Sequence, residues 1–385
     1  CFNCQLNYLS CQIGWDTAAA VVSFMSFDTC AFPDALTRRK FEIIREVLFG
    51  NVNKSNPLNH SKMKSPLIGI LVVLSATLLI ASCKKDKTTA PDAALQFTKT
   101  TTTGSQFAPL FDHQTVVFNN KLWVIGGRQS DVLYTNEIWS STDGASWAQT
   151  TVSGPVFSVR SDHQVLVFNN KLWVIGGLSN GNALNDVWNS SDGAAWTQVT
   201  ANAAFSIRSL HDVIVFNNKM WLIGGDGIGG TKNDIWSSAD GITWTQETVT
   251  GTQFGPRAGH QVVFFNAKLF VIGGYSATGF KNDVWSSTDG ITWVEELTSG
   301  TKFVPLYSHQ AIVYNNKLLV IGGLVGFVTT DEVWSSANGK DWTKETNAAF
   351  GTRGGHQAVL FNNKICVTGG YDAAAVIKND VWFSN

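Results

Sequence analysis

The chain has 385 residues, 15% of them charged, and a formal net charge of −1. That balance argues against a basic nucleic-acid surface and against a disordered charged tail. Fifteen tryptophans are the outlier, and fourteen of them fall after residue 94.

Residues 1–62 do not read like the rest. They hold Cys1, Cys4, Cys11 and Cys30, but the opening Cys-Phe-Asn-Cys has no second pair with which to complete a metal site. Asp34 to Phe49 suits a helix. Met63 and Lys64 open a secretory-looking segment: a positive start, an apolar run from Leu67 to Ala81, then Ser82 and Cys83. The run is shorter than the roughly 20 residues that a membrane-crossing helix needs. Ile80-Ala81-Ser82-Cys83 resembles a bacterial lipobox, which implies cleavage before Cys83 and a lipid on that cysteine. Lys84-Lys85-Asp86 resembles the start of Bacteroidetes-type lipoproteins. The expectation is therefore a lipoprotein signal peptide over 63–82, with 1–62 a non-native upstream translation or a disordered leader. The protein would sit in a bacterial cell envelope, lipid-anchored to the outer membrane and facing the periplasm or the surface. Residues 83–93, polar and containing Pro91, read as a tether.

From residue 94 one sentence is written six times. The histidines His113, His163, His211, His260, His309 and His356 are spaced 50, 48, 49, 49 and 47 residues apart, and such self-similarity governs the fold. In the second copy, His163 to Phe168 is an apolar first strand, and Asn169-Asn170 a two-residue turn of the kind that needs left-handed backbone. Lys171 to Ile175 is a second strand ended by Gly176-Gly177. After a variable loop, Asn185 to Asn189 is a third, and Ser191-Asp192-Gly193 turns into a fourth at Trp196. A lone four-stranded meander leaves two apolar faces bare, so copies must stack, and radial stacking makes a propeller.

The double glycine, the Asn185-Asp186-Val187-Trp188 run and the later Trp196 stand in the order of the kelch repeat, and the period is similar to that family's. The chain thus resembles kelch-repeat propellers and the central domain of galactose oxidase over roughly 94–385. The turn Ser190 to Trp196 is similar to the Asp-box of sialidase-type propellers, one residue shorter. The predicted class is all-β: a six-bladed β-propeller of four-stranded antiparallel blades, monomeric and without a cofactor.

The ends predict how the ring closes. The sixth copy stops after its third strand, Asn379 to Phe383, whereas Leu95 to Thr100 reads as an unattached fourth strand. Phe97 lies 16 residues before His113, as Trp147, Trp244 and Trp293 each lie 16 before the next histidine. The N-terminal strand is expected to complete the last blade.

Repeated positions read as structure. The aromatic ring Trp139, Trp188, Trp236, Trp285, Trp334 and Trp382, and the phenylalanines six residues before each histidine, are expected in the core. The six histidines read as one structural hydrogen bond repeated, not a metal site, because tetrahedral coordination wants ligands within about 2.1 Å. Asp143, Asp192, Asp240, Asp289 and Asn338 read as turn-formers. Arg160, Arg208, Arg257 and Arg353 stand three residues before a histidine, where the other two copies have Leu110 and Leu306. Two readings are open for them: pairing with the blade's Asn-Asp segment, or gripping a ligand carboxylate near the channel mouth.

Turns after the first and third strands are uniform, while those after the second and fourth vary, which marks the second set as the binding face. Its candidate ligand-binding residues are Arg128, Asp226, Tyr275, Phe280, Tyr307 and Tyr371, together with the four arginines; no residue is assigned to catalysis or to a metal. Aromatic and polar groups around a pocket suit a glycan or protein ligand. Two other classes compete: a carbohydrate-active enzyme similar to galactose oxidase, sialidase or the kelch-type sialic acid mutarotase, and an assembly scaffold.

Overall fold

Twin asparagines set the register of each meander. In the computed structural model, which describes residues 95–298 and 300–385, Asn169 (φ 48°) and Asn170 (φ 56°) are both left-handed, and the first strand folds back with Phe168 opposite Lys171. The fourth repeat does the same with Asn266 and Ala267 (φ 60°), although alanine in this region costs about 1–2 kcal/mol. The chain divides into two units, Cys1–Thr88 and Thr89–Asn385. All described residues belong to the second. The expected signal peptide, tether and lipidated Cys83 lie outside them, as does the Cys-Phe-Asn-Cys start.

The described residues form an all-β propeller. Four antiparallel four-stranded sheets stand separately, three of them from repeats one, four and five. The fourth joins Gln357–Phe361, Lys364–Thr368 and Val381–Ser384 to Phe97–Lys99 from the start of the described chain. There Phe97 faces Ser384 and Lys99 faces Trp382. The second and third repeats depart from the expected six separate sheets, because they run together in one of nine strands. The join is Arg208–Ser209, an extended pair that ladders onto Gly227 and Asp226 on one side and Leu184 on the other. At the same place the other repeats make isolated bridges, such as Phe111 to Arg128 in the first and Arg257 to Lys232 and Ala258 to Tyr275 in the fourth.

The apolar core lies between neighbouring repeats. Phe118, Trp123 and Ile125 of the first pack with Phe157, Leu172 and Trp196 of the second, and Phe361, Cys366 and Val381 of the sixth pack with Phe107, Leu122 and Trp147 of the first. Each Trp at the fourth-strand entry meets its phenylalanine edge-on, as Trp147 does Phe107 at 5.0 Å. Phe97 meets Phe350 in the same way, also at 5.0 Å. The tryptophans of the second strand lock adjacent repeats: the Trp123 ring lies where a Cβ on Gly193 would stand, and Trp173 does so against Gly241. In the sixth repeat that slot holds Cys366, which is too short to reach. Phe383 fills the gap instead, and its ring abuts Gly144 of the first repeat.

Candidate functional site

The double glycines explain the histidines. A Cβ on the first glycine, Gly126, would stand 2.8 Å from Cε1 of His163 in the next repeat, and a Cβ on the second, Gly127, would stand 2.6 Å from Cβ of His113 in its own. Both glycines have positive φ, which other residues rarely adopt. The sixth repeat's Gly369 receives the ring of His113 likewise. Each histidine is thus a buried wedge between repeats. The expected hydrogen bond is made in full geometry only by His113, whose Nε2 lies 3.1 Å from Thr368 Oγ1. In the other five an isoleucine replaces that threonine; the ring nitrogens make no hydrogen bond of good geometry, although the backbones of Ile125, Ile175, Ile223 and Ile321 lie near His163, His211, His260 and His356. Burial holds all six imidazoles far below their usual range, to about 3 for His113, His211 and His309.

The residues just before the histidines, Asp112, Asp162, Leu210, Gly259, Ser308 and Gly355, all have φ between 49° and 60°. Their backbones form a closed circuit around the channel. Asp162 N–H donates to Asp112 C=O (3.0 Å), Leu210 to Asp162 (3.0 Å), Gly259 to Leu210 (2.9 Å), Ser308 to Gly259 (3.0 Å), Gly355 to Ser308 (3.4 Å) and Asp112 back to Gly355 (2.9 Å). The cavity bounded by this circuit, the histidines and the following glutamines is about 50 Å³, enough for a few waters. A sugar or peptide must therefore sit on the mouth.

One residue further back, the frame repeats but the side chains do not. Paired across it are Phe111 with Arg128, Ser161 with Leu178, Ser209 with Asp226, Ala258 with Tyr275, Tyr307 with Leu324, and Gly354 with Tyr371. Five of the candidate residues stand in these pairs. The sixth, Phe280, pairs with Tyr275 across a short hairpin and stacks on Tyr307 at 5.3 Å, while Tyr275 meets Tyr307 edge-on at 5.1 Å. On the other side Phe111 meets Tyr371 at 5.3 Å. Arg128 bonds Asp112, lies 3.7 Å from Asp162 and sits over the rings of Phe111 and Tyr134. Burial, then the neighbouring Asp112, pushes Asp162 up to about 7 against the pull of Arg128. Burial also raises Asp112. Tyr275 is raised to about 12 by burial and the nearby Asp226 and Asp162, and Tyr307 and Tyr371 are raised chiefly by burial.

The other four arginines are not ligand-binding residues; the carboxylate-gripping reading of them is corrected. Arg160, Arg208, Arg257 and Arg353 are fully buried, each a fork on the aspartate of its own repeat: Asp186, Asp234, Asp283 and Asp380. In Arg208 the remaining donors reach Ser206 and the Gly224 carbonyl, so all are used. The same aspartates accept the Trp indole N–H two residues on. Arg208→Leu strands Asp234, and removing one partner of such a pair costs about 3–5 kcal/mol. A fall in thermal midpoint of roughly 10 °C is expected, largely recovered in Arg208→Leu/Asp234→Leu; thermal unfolding of the two variants checks it. The predicted turn role of Asp192 stands: Oδ1 accepts the N–H groups of Ala194 and Ala195, each at 2.8 Å.

Sequence reasoning missed Phe111, Asp112 and Asp162. The signal available was a break in pattern: aspartate in two copies where the others have Leu, Gly or Ser.

A family model described as the KLHDC2/KLHL20/DRC7 Kelch-repeats domain matches residues 92–237 and 192–370. The chain belongs to the Kelch-repeat family. No curated protein matches this Kelch-repeat chain. A solved structure described as "Structure of YjhT" is similar to it with a TM-score of 0.60 at 16% identity, covering 72% of this chain and 95% of that one; the likeness is one of fold.

Proposed function

We propose that this Kelch-repeat protein is a six-bladed propeller, held at a bacterial cell envelope by a lipid on Cys83, that binds a glycan or protein partner at the channel mouth. Supporting six blades are the six-membered backbone circuit, the strand Phe97–Lys99 completing the last sheet, and the nine-stranded sheet, which counts as two blades bridged by Arg208–Ser209. The anchor rests on the pattern from Met63 to Cys83. The observation that carries the binding reading is the set of unrepeated side chains on a repeated frame. Packing demands the same residue in every blade, yet the position after the double glycine holds Arg128, Leu178, Asp226, Tyr275, Leu324 and Tyr371, and Tyr307 stands where the other repeats have Phe, Ser, Ala or Gly.

Glycan-array binding and partner capture test the reading. A ligand bound by the native protein should be lost at least tenfold in Tyr307→Ala and Tyr275→Ala, with the fold intact. Retention of full binding in both variants would remove the mouth from consideration.

A second reading, a mutarotase-like enzyme, draws on Asp112 and Asp162, two carboxylates within reach of one arginine, with Asp162 poised near neutrality. Such a pair suits proton transfer to and from a sugar's ring oxygen and anomeric hydroxyl. Anomer equilibration of sialic acid accelerated by the native protein and abolished in Asp162→Asn supports it; no acceleration rejects it.

A further inference from the structure

We infer that the mouth takes a cation, and that its occupant is a lysine side chain presented by a protein partner whose apolar residues cover the surrounding loop tips. The inference rests on the binding reading above and names the partner's chemistry.

Charge decides the sign. With four arginines consumed by their own aspartates, the mouth keeps Asp112, Asp226 and an Asp162 that is ionised in part at pH 7 against Arg128 alone. Arg128 is itself held by Asp112. The lysines of the same loops turn elsewhere: Lys232 donates to the Ile228 carbonyl, Lys281 to Thr278 Oγ1 at 2.8 Å, and Lys378 pairs with Asp372 at 2.6 Å. A carboxylate ligand would meet net repulsion there.

The walls fit an ammonium group. Tyr275, Tyr307 and Phe280 form one aromatic cluster, and Phe111 with Tyr371 another. Ring faces attract cations, as the Arg128 guanidinium 4.7 Å from the Phe111 ring centre already illustrates. The channel behind offers acceptors, because the carboxylates of Asp112 and Asp162 line it. An ammonium group has three donors and no acceptor.

The loop tips argue for a protein. Val132, Ile228, Phe327 and Val376 are 83%, 75%, 86% and 50% exposed, each on the second-to-third-strand connection of a different repeat. Exposed apolar groups around a polar centre mark interaction surfaces. An anionic membrane is disfavoured by the acidic centre, since such surfaces attract basic segments.

The test titrates the full chain with fluorescein-labelled pentapeptides of sequence Ala-Leu-X-Leu-Ala, amidated at the C-terminus, with X as lysine, glutamate or norleucine. The lysine peptide should bind at least tenfold more tightly than either other, lose at least fivefold in Asp226→Asn and in Tyr307→Ala, and weaken as salt rises. Asparagine can keep the contact that Asp226 Oδ1 makes with Gly227 N–H, so the first variant should fold. Equal binding of the three peptides, preference for glutamate, or lysine binding indifferent to both variants overturns the inference. So does binding to phosphatidylserine vesicles in preference to the lysine peptide. A glycan or glutamate peptide that binds and is lost in Tyr307→Ala overturns the cation alone and leaves the binding reading standing; failure of every probe and of partner capture overturns both.

Discussion

Deletion of residues 95–100 should remove most of the protein's stability, although the segment is only six residues long and carries no unusual chemistry. Phe97 is 5% exposed and packs edge-on against Phe350; removing a core phenylalanine costs about 3–5 kcal/mol. Backbone bonds are lost as well. Thr100 N–H donates to Val381 C=O at 2.8 Å and Asn385 N–H to Gln96 C=O at 2.9 Å, outside the ladder from Phe97 to Lys99. At about 1 kcal/mol for each such bond, the deletion approaches the 5–15 kcal/mol that holds an average domain together. It also bares one edge of Val381–Ser384, which keeps only Lys364–Thr368 beside it, and an open edge invites pairing with another chain. The deleted protein should unfold at much lower urea and form dimers or larger species. Phe97→Ala, which keeps the strand, should lose about 3–5 kcal/mol without association. An unchanged midpoint in the deletion variant would mean that the two ends of the chain do not hold each other.

The role of Phe97 was legible in the sequence because five other copies supply the comparison. Spacing from His113 assigns it the place of Trp147 or Trp244, and the ring contact with Phe350 is the one those tryptophans make with Phe107 and Phe205. The arginines were half legible. Where Leu110 and Leu306 replace arginine, Glu137 and Glu332 replace the repeated aspartate, a covariation that points to pairing within each repeat. The join at Arg208–Ser209 was not legible, because a two-residue ladder differs from a single bridge by small shifts in backbone geometry that no residue type announces. Nor was the site's sign. Asp112 and Asp162 matter through their distance to Arg128, and residues from different repeats meet only once the propeller is wound. Periodicity reads what is repeated; the mouth is made of what is not.

Mild acid should unfold the protein well before its exposed carboxylates protonate, and the six histidines are the cause. Each is buried neutral, with its pKa held far below the ordinary imidazole value by loss of solvation. In the unfolded chain each takes a proton near 6.5. Below that pH the unfolded state binds protons that the folded state refuses, so stability falls as pH falls, by about 2 kcal/mol for each histidine at pH 5 and about 12 kcal/mol for six. Three aspartates act in the opposite direction, and Asp112, raised by burial, adds to the two largest. Asp162 and Asp212 have folded values raised to about 7, so the folded state keeps protons that the unfolded state releases, and stability rises as pH falls from 7 towards 4. Their combined gain at pH 5, about 5 kcal/mol, offsets less than half of the loss. The difference is of the order of a domain's whole stability. Thermal midpoints should therefore drop by roughly 15 °C or more between pH 7.5 and pH 5, with unfolding at pH 5 taking up about four protons. Asp212 stands where the other repeats have glutamine, whose side-chain oxygen accepts the next repeat's N–H, as Gln310 does from Ala358 at 3.2 Å. Asp212→Gln should accordingly stabilise the protein at pH 7.5 and steepen its loss in acid. A profile flat from pH 7.5 to 5 would mean that the imidazoles reach solvent in the folded state and that the glycine wedges do not seal them.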